Sequence, residues 1–120
     1  MSDLITTNVN GRAIEPERVK AWANLNGTGT IALRGSLNIS SVVDNGTGTY
    51  SYNLTSPMAA ANFTTIANGH RSDIGSDSTD ANVSSTKTST VSSYRTVSVA
   101  LSGVLRDFEQ LNSIVMGDLA

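Results

Sequence analysis

The sequence predicts a mainly β fold: an antiparallel β-sandwich or jelly-roll-like barrel. An extended N-terminal arm occupies residues 1–17, the β domain 18–103, and a short C-terminal helical tail 104–120. Three observations carry this. The pentapeptide Asn-Gly-Thr-Gly-Thr occurs twice, as Asn26 to Thr30 and as Asn45 to Thr49, each time between apolar runs. Asn-Gly is the strongest short-range hairpin signal, because both residues tolerate the positive φ angles of a tight turn. Second, apolar and hydroxylated residues alternate with the period of two expected of half-buried antiparallel strands. Third, only 15% of the residues are charged, below the ~25% usual for globular domains, and Ser, Thr, Asn and Gly fill the difference. Such a surface suits all-β proteins that work in repetitive extracellular or particle-bound assemblies.

Met1 to Glu17 is polar, with Leu4, Ile5, Val9 and Ile14 as its larger apolar groups. Pro16 stops a helix and favours extended backbone before it. The segment reads either as a frayed terminus or as an arm that docks on a neighbouring subunit or particle. Arg18 to Leu25 is the first strand. Val19, Ala21, Ala23 and Leu25 share one face, and Lys20, Trp22 and Asn24 share the other. Trp22 is the only tryptophan. Its polar companions suggest a subunit interface or a capped edge rather than the deepest core.

After the first turn, Ile31 and Leu33 alternate with Ala32 and Arg34. Gly35 marks a bulge or bend, and Leu37, Ile39, Ser41 and Val43 continue the alternation to Asp44. After the second turn Tyr50, Tyr52 and Leu54 alternate with Thr49, Ser51 and Asn53. Pro57 ends that run, Met58 to Ala61 connects, and Phe63 to Ala67 forms the next strand. Asn68 to Asn82 has no apolar period and reads as an irregular loop of the kind that carries function or is disordered. Val83 to Val91 resumes as a hydroxyl-rich strand or pair of strands, and Val97, Val99 and Leu101 alternate in the next. From Gly103 the period changes: Val104, Phe108, Leu111 and Val115 form one helical stripe, with Asp107 and Glu109 early and Gly117 as a stop. That helix caps the sheet or bundles with copies of itself.

The totals exclude several classes. A net charge of −2 and a pI near 5.1 give no electrostatic reason to expect nucleic acid or an anionic membrane as partner. There is no cysteine, so disulfides and thiolate metal sites are out. The first ten residues lack the basic and apolar regions of a signal peptide. No run approaches the ~20 apolar residues of a membrane span. His70 is the only histidine; Ser and Asp are too plentiful for their co-occurrence with it to indicate a triad. Asp73, Asp77 and Asp80 could offer oxygens to Ca²⁺, but their spacing does not match a twelve-residue EF-hand loop. No phosphate-binding or dinucleotide motif is present. Asn38, Asn53, Asn62 and Asn82 open N-glycosylation patterns of the kind expected by chance in so Ser/Thr/Asn-rich a chain. No catalytic, cofactor-binding or metal-ligating residue is assigned, no cofactor is expected, and the chain is not expected to be an enzyme. A stand-alone carbohydrate-binding domain would need clustered exposed aromatics, and six aromatics scattered singly do not supply them.

One ordered combination is more specific. It runs Lys20-Ala21-Trp22, Asn26 to Thr30, Ala32 and Arg34, Asn38, Ser40 and Ser41, then Asp44 to Gly48 with Tyr50, Asn53 and Thr55. This resembles a β-rich domain of tail-fibre and other virion proteins of tailed bacteriophages, particularly from aquatic habitats. Val97 to Leu101 followed by Gly103 resembles the way that domain ends. The resemblance covers about residues 20–103. It implies a non-enzymatic structural protein located in the virion, a homotrimer contacting itself and other virion proteins. The function it implies is a receptor-binding tip component of a tail fibre, or alternatively a capsid decoration (cement) protein on the phage head. In the tail reading, Asn68 to Asn82 would meet a host surface glycan or protein. In the capsid reading, the arm or the terminal helix would grip capsid protein.

Overall fold

A computed structural model describes residues 8–9, 12–13, 18–70, 83–99 and 103–120. The described residues are strands and connections without a helix. A small hairpin pairs β1 (Asn8–Val9) with β2 (Arg12–Ala13) inside the expected arm, whose other residues lie outside those described. The remaining strands are β3 (Val19–Asn26), β4 (Ala32–Leu37), β5 (Ile39–Asp44), β6 (Thr49–Leu54), β7 (Thr64–His70), β8 (Val83–Thr90), β9 (Ser93–Val99) and β10 (Gln110–Met116). They hydrogen-bond in the antiparallel order β4-β3-β10-β7-β8-β9-β6-β5. Among the described residues, β7 and β8 pair in register at Ala67 with Ser84. The Tyr94 hydroxyl of β9 lies 2.7 Å from the Ser113 hydroxyl of β10. Those strands are not neighbours, so this bond crosses the interior. The result is two facing layers, β4-β3-β10-β7 and β8-β9-β6-β5, an architecture consistent with a β-sandwich.

The interior is built from unequal contributions. β3 offers Ala21, Ala23 and Leu25; β6 offers Tyr50, Tyr52 and Leu54; β9 offers Tyr94; β10 offers Leu111 and Val115, all buried. Layers packed ~10 Å apart cannot hold large side chains on both sides. The two alanines of β3 leave the volume that the tyrosines fill. Tyr52 and Tyr94, directly opposite on β6 and β9, stack with ring centroids 4.6 Å apart and planes 3° from parallel. Both stacked rings have their hydroxyls partnered: Thr96 donates to Tyr52 at 3.2 Å, and Tyr94 meets Ser113.

Both predicted hairpin turns are present. In the first, the Asn26 side chain accepts from the Thr28 amide (3.1 Å) and hydroxyl (2.7 Å), and Gly29 has φ of 60°. In the second, the Asn45 amide donates to the Thr49 carbonyl (2.9 Å), with Gly46 and Gly48 at positive φ.

Three expectations need correction. The helix after Gly103 is not formed: residues 104–109 are a connection, and Gln110–Met116 is a strand lying centrally between β3 and β10's other neighbour, β7. Its inward set is Leu111, Ser113 and Val115. The polar Ser113 interrupts the apolar alternation, so a spurious stripe of period 3.6 stood out instead. The β-branched pair Ile114-Val115 was the signal for a strand. The terminal segment is therefore part of the sheet and not a helical tail. Second, the alternation read through Leu37, Ile39, Ser41 and Val43 is broken. The chain bends at Asn38, with φ of 59°, and Ser40 is an extra residue against β6. Such a bulge reverses which side chains face in, so Ile39 and Val42 pack on the core while Leu37 and Val43 are exposed. Third, β9 buries its hydroxyl-bearing face, Thr96 and Ser98 beside Tyr94. Val97 and Val99 are half-buried on the other face.

Candidate functional site

The two copies of the repeated pentapeptide meet at one polar junction. Gly27 of the first donates its amide to the Phe108 carbonyl (2.8 Å) and accepts the Tyr50 hydroxyl on its own carbonyl (3.0 Å). Gly48 of the second donates to Asp107 Oδ1 (2.7 Å), which also takes the Tyr50 hydroxyl at 2.7 Å. Gly48 additionally accepts the Ser98 amide (2.7 Å). A side chain at Gly48 would stand 2.6 Å from the Ser98 carbonyl oxygen and 2.8 Å from that of Arg106, at a φ of 69°. Only glycine meets those demands. Burial, together with the neighbouring Asp107 carboxylate, pushes the Tyr50 phenol well above its ordinary pKa. A phenol held neutral and locked between a carbonyl and a carboxylate is a structural tie, unsuited to give up its proton at neutral pH. The repeat that organises the sequence thus holds the domain together.

The outer face of the layer β4-β3-β10-β7 has a different character. Leu37 pairs with Trp22, Trp22 with Ile114, and Ile114 with Ile66, in one straight cross-strand row over four strands. All four are exposed, from 39% for Trp22 to 62% for Ile66. The Trp22 ring lies over Gly35, whose missing Cβ would sit 3.1 Å from it. The next row along the strands is Gly35, Asn24, Asn112 and Asn68, in which Asn112 donates to Asn68 at 3.1 Å. Arg34, beside that row, reaches Asn24 Oδ1 (3.4 Å) and the Leu25 carbonyl (3.5 Å). Beyond the other side of the apolar row, Lys20 is buried and donates to the Arg18 carbonyl at 3.1 Å. A hollow of about 380 Å³ opens at that end, between Lys20, Leu37, Asn38, Ser56 and Leu119 among others.

Contiguous exposed apolar surface on a charge-poor sheet marks an interaction site more often than a catalytic one. Trp22 is on this outer face, away from the tyrosine interior. His70 ends β7 opposite Gln110. Asp73, Asp77, Asp80 and the rest of the expected loop beyond His70 lie outside the described residues. Among the described residues no group of three or more His, Cys, Asp or Glu is gathered to hold a metal ion. The row itself was missed in the sequence, because its members sit on strands whose spatial order is not their chain order. Compared with known proteins, the chain matches no family model, no curated protein and no solved structure.

Proposed function

We propose that this chain is a structural protein of a bacteriophage virion, a non-enzymatic component of the receptor-binding tip of a tail fibre that acts as a homotrimer. The observation that supports this reading is that several residues of the phage-like pattern have a fixed task in one fold. Gly27 and Gly48 converge on Tyr50 and Asp107. Asn38 makes the bend between layers at positive φ and accepts the Ser56 amide at 2.7 Å. Asn53 donates to the Ser41 hydroxyl at 2.9 Å, and Trp22 covers Gly35. That these residues serve one fold together supports reading the pattern as a fold signature rather than as an effect of composition. The finer reading of the sandwich as a jelly-roll-like barrel belongs with this proposal, since the Asn38 bend carries the chain from one open edge strand, β4, straight into the other, β5.

The test is stoichiometry: quantify this chain against major capsid protein in purified particles. A copy number at least an order of magnitude below that of the capsid protein is expected for a tail-fibre tip. A copy number comparable to the capsid protein would replace that reading with capsid decoration. Absence from washed particles would overturn the virion reading altogether.

A further inference from the structure

We infer that the outer face of β4-β3-β10-β7 is where copies of this chain meet, with the row Leu37, Trp22, Ile114 and Ile66 packed against the same row of a second copy. This rests on the reading of the chain as a self-associating subunit and names the surface that does it. At their fractional exposures, the four side chains leave roughly 400 Å² of apolar area open, in the ~300–600 Å² range of the largest, often functional, patch on a monomer. Four strands of about seven residues, ~4.8 Å apart with a rise of ~3.3 Å, make a face of about 19 by 23 Å. That flat footprint of about 440 Å² is a little over half of the ~800 Å² that each partner gives to a standard interface, the size of a small interface per pair of copies. The apolar row is its centre and the amide row its border, which is the anatomy of a protein interface.

The composition selects the occupant. A surface that meets its own copy sets like against like, so unbalanced charge in the contact would oppose association. The apolar row and the Asn24, Asn112 and Asn68 row beside it carry no charge. Asparagine tolerates self-contact because each amide both donates and accepts. Cross-strand rows are also straight, and a straight row of large apolar groups packs on itself about a twofold axis or lines the interior when three copies surround a threefold axis. The second arrangement is the one that a homotrimer needs.

The experiment is sedimentation velocity on the full chain across about 0.1–100 μM, read together with Trp22 emission, which no other tryptophan obscures. Three variants are compared: the double variant Ile66→Lys/Ile114→Lys, the milder Ile66→Ser, and Val43→Lys, an equally exposed valine on the other layer. The wild type and Val43→Lys are expected to assemble with blue-shifted Trp22 emission. Ile66→Ser should weaken assembly, and the lysine pair should weaken it by ~100-fold or more, with red-shifted emission and an unchanged β spectrum. Assembly that persists in both Ile66 variants, with Trp22 still solvent-exposed, would move the interface elsewhere while leaving self-association standing. A wild type that stays monomeric to 100 μM would overturn both the surface and the self-association reading. A face covered only after adding a different protein or a glycan would overturn the assignment to a second copy. None of these outcomes depends on whether the chain is found in a virion.

Discussion

Raising the pH should unfold this domain abruptly, because all three of its tyrosines are in the interior. Burial raises the pKa of each: Tyr52 is pushed up to about 12 against a weaker opposing pull from Thr96, and Tyr50 and Tyr94 are also driven upward, chiefly by burial. In the unfolded chain each titrates near pH 10. A folded pKa above the unfolded one means that the native state keeps protons the unfolded state has lost. Stability is therefore undiminished below about pH 10 and falls as pH rises beyond it. With its value of about 12, Tyr52 alone takes about 1.4 kcal/mol from the stability at pH 11 and about 2.3 kcal/mol at pH 12, and Tyr50 and Tyr94 add to the loss in the same direction. A chain of this length has a total stability of only ~6–18 kcal/mol. The assay follows tyrosinate absorbance and far-ultraviolet circular dichroism on one sample as pH rises from 8 to about 12.5. No tyrosinate signal should develop at pH 10, and both signals should then change together in one cooperative step above about pH 11. A gradual tyrosinate signal centred near pH 10, with the β spectrum intact, would show that the phenols are in contact with water and refute the account of the interior.

Three further outcomes follow from single contacts. Ser113→Ala strands the buried Tyr94 hydroxyl and should cost ~1–3 kcal/mol in urea denaturation, whereas Ser113→Ala combined with Tyr94→Phe should recover most of that loss, and simple additivity would argue against the bond. Ser98→Ala should be neutral or mildly stabilising, because the Ser98 hydroxyl is buried without a hydrogen-bond partner; a loss above ~1 kcal/mol would mean that it is satisfied after all. Gly29 and Gly48 both have positive φ, but only Gly48 also faces backbone oxygens of Ser98 and Arg106. Gly29→Ala should therefore cost ~1 kcal/mol and Gly48→Ala ~3 kcal/mol or more, and equal thermal shifts would contradict the crowding at the second turn.

How far this fold could be read from its sequence depended on whether each strand's inward set was uniformly apolar. Tyr50, Tyr52 and Leu54 were, and so were Ala21, Ala23 and Leu25; both strands and the faces they bury follow from alternation alone. The Asn-Gly turns were equally legible because their φ demands are local. Strand β10 was not legible, since its inward Ser113 is explained only by Tyr94, a residue brought opposite by the folding of the sheet. The phase of β5 was lost to a single extra residue, Ser40, which only the pairing with β6 exposes. In each miss, the deciding information was a partner across the interior or across a ladder, which no local window contains.

The same reasoning explains why Trp22 could be placed on the correct face while its companions could not. Its position in β3, out of phase with Ala21 and Ala23, already excludes it from that strand's buried set. That Ile114 and Ile66 stand beside it follows from β10 lying between β3 and β7. Ile114 is not among the residues of the expected helical stripe. In the sheet it becomes the centre of an exposed row. The domain thus divides its large side chains between two tasks. The tyrosines and their hydroxyl partners fasten the two layers together, and the aliphatic row with Trp22 is left on the outside. A fold that needed those four groups for its own stability would have turned them inward, where Ala21, Ala23 and Ser113 instead leave room for the rings of the opposite layer. Their retention on a charge-poor outer face is better accounted for by association than by folding.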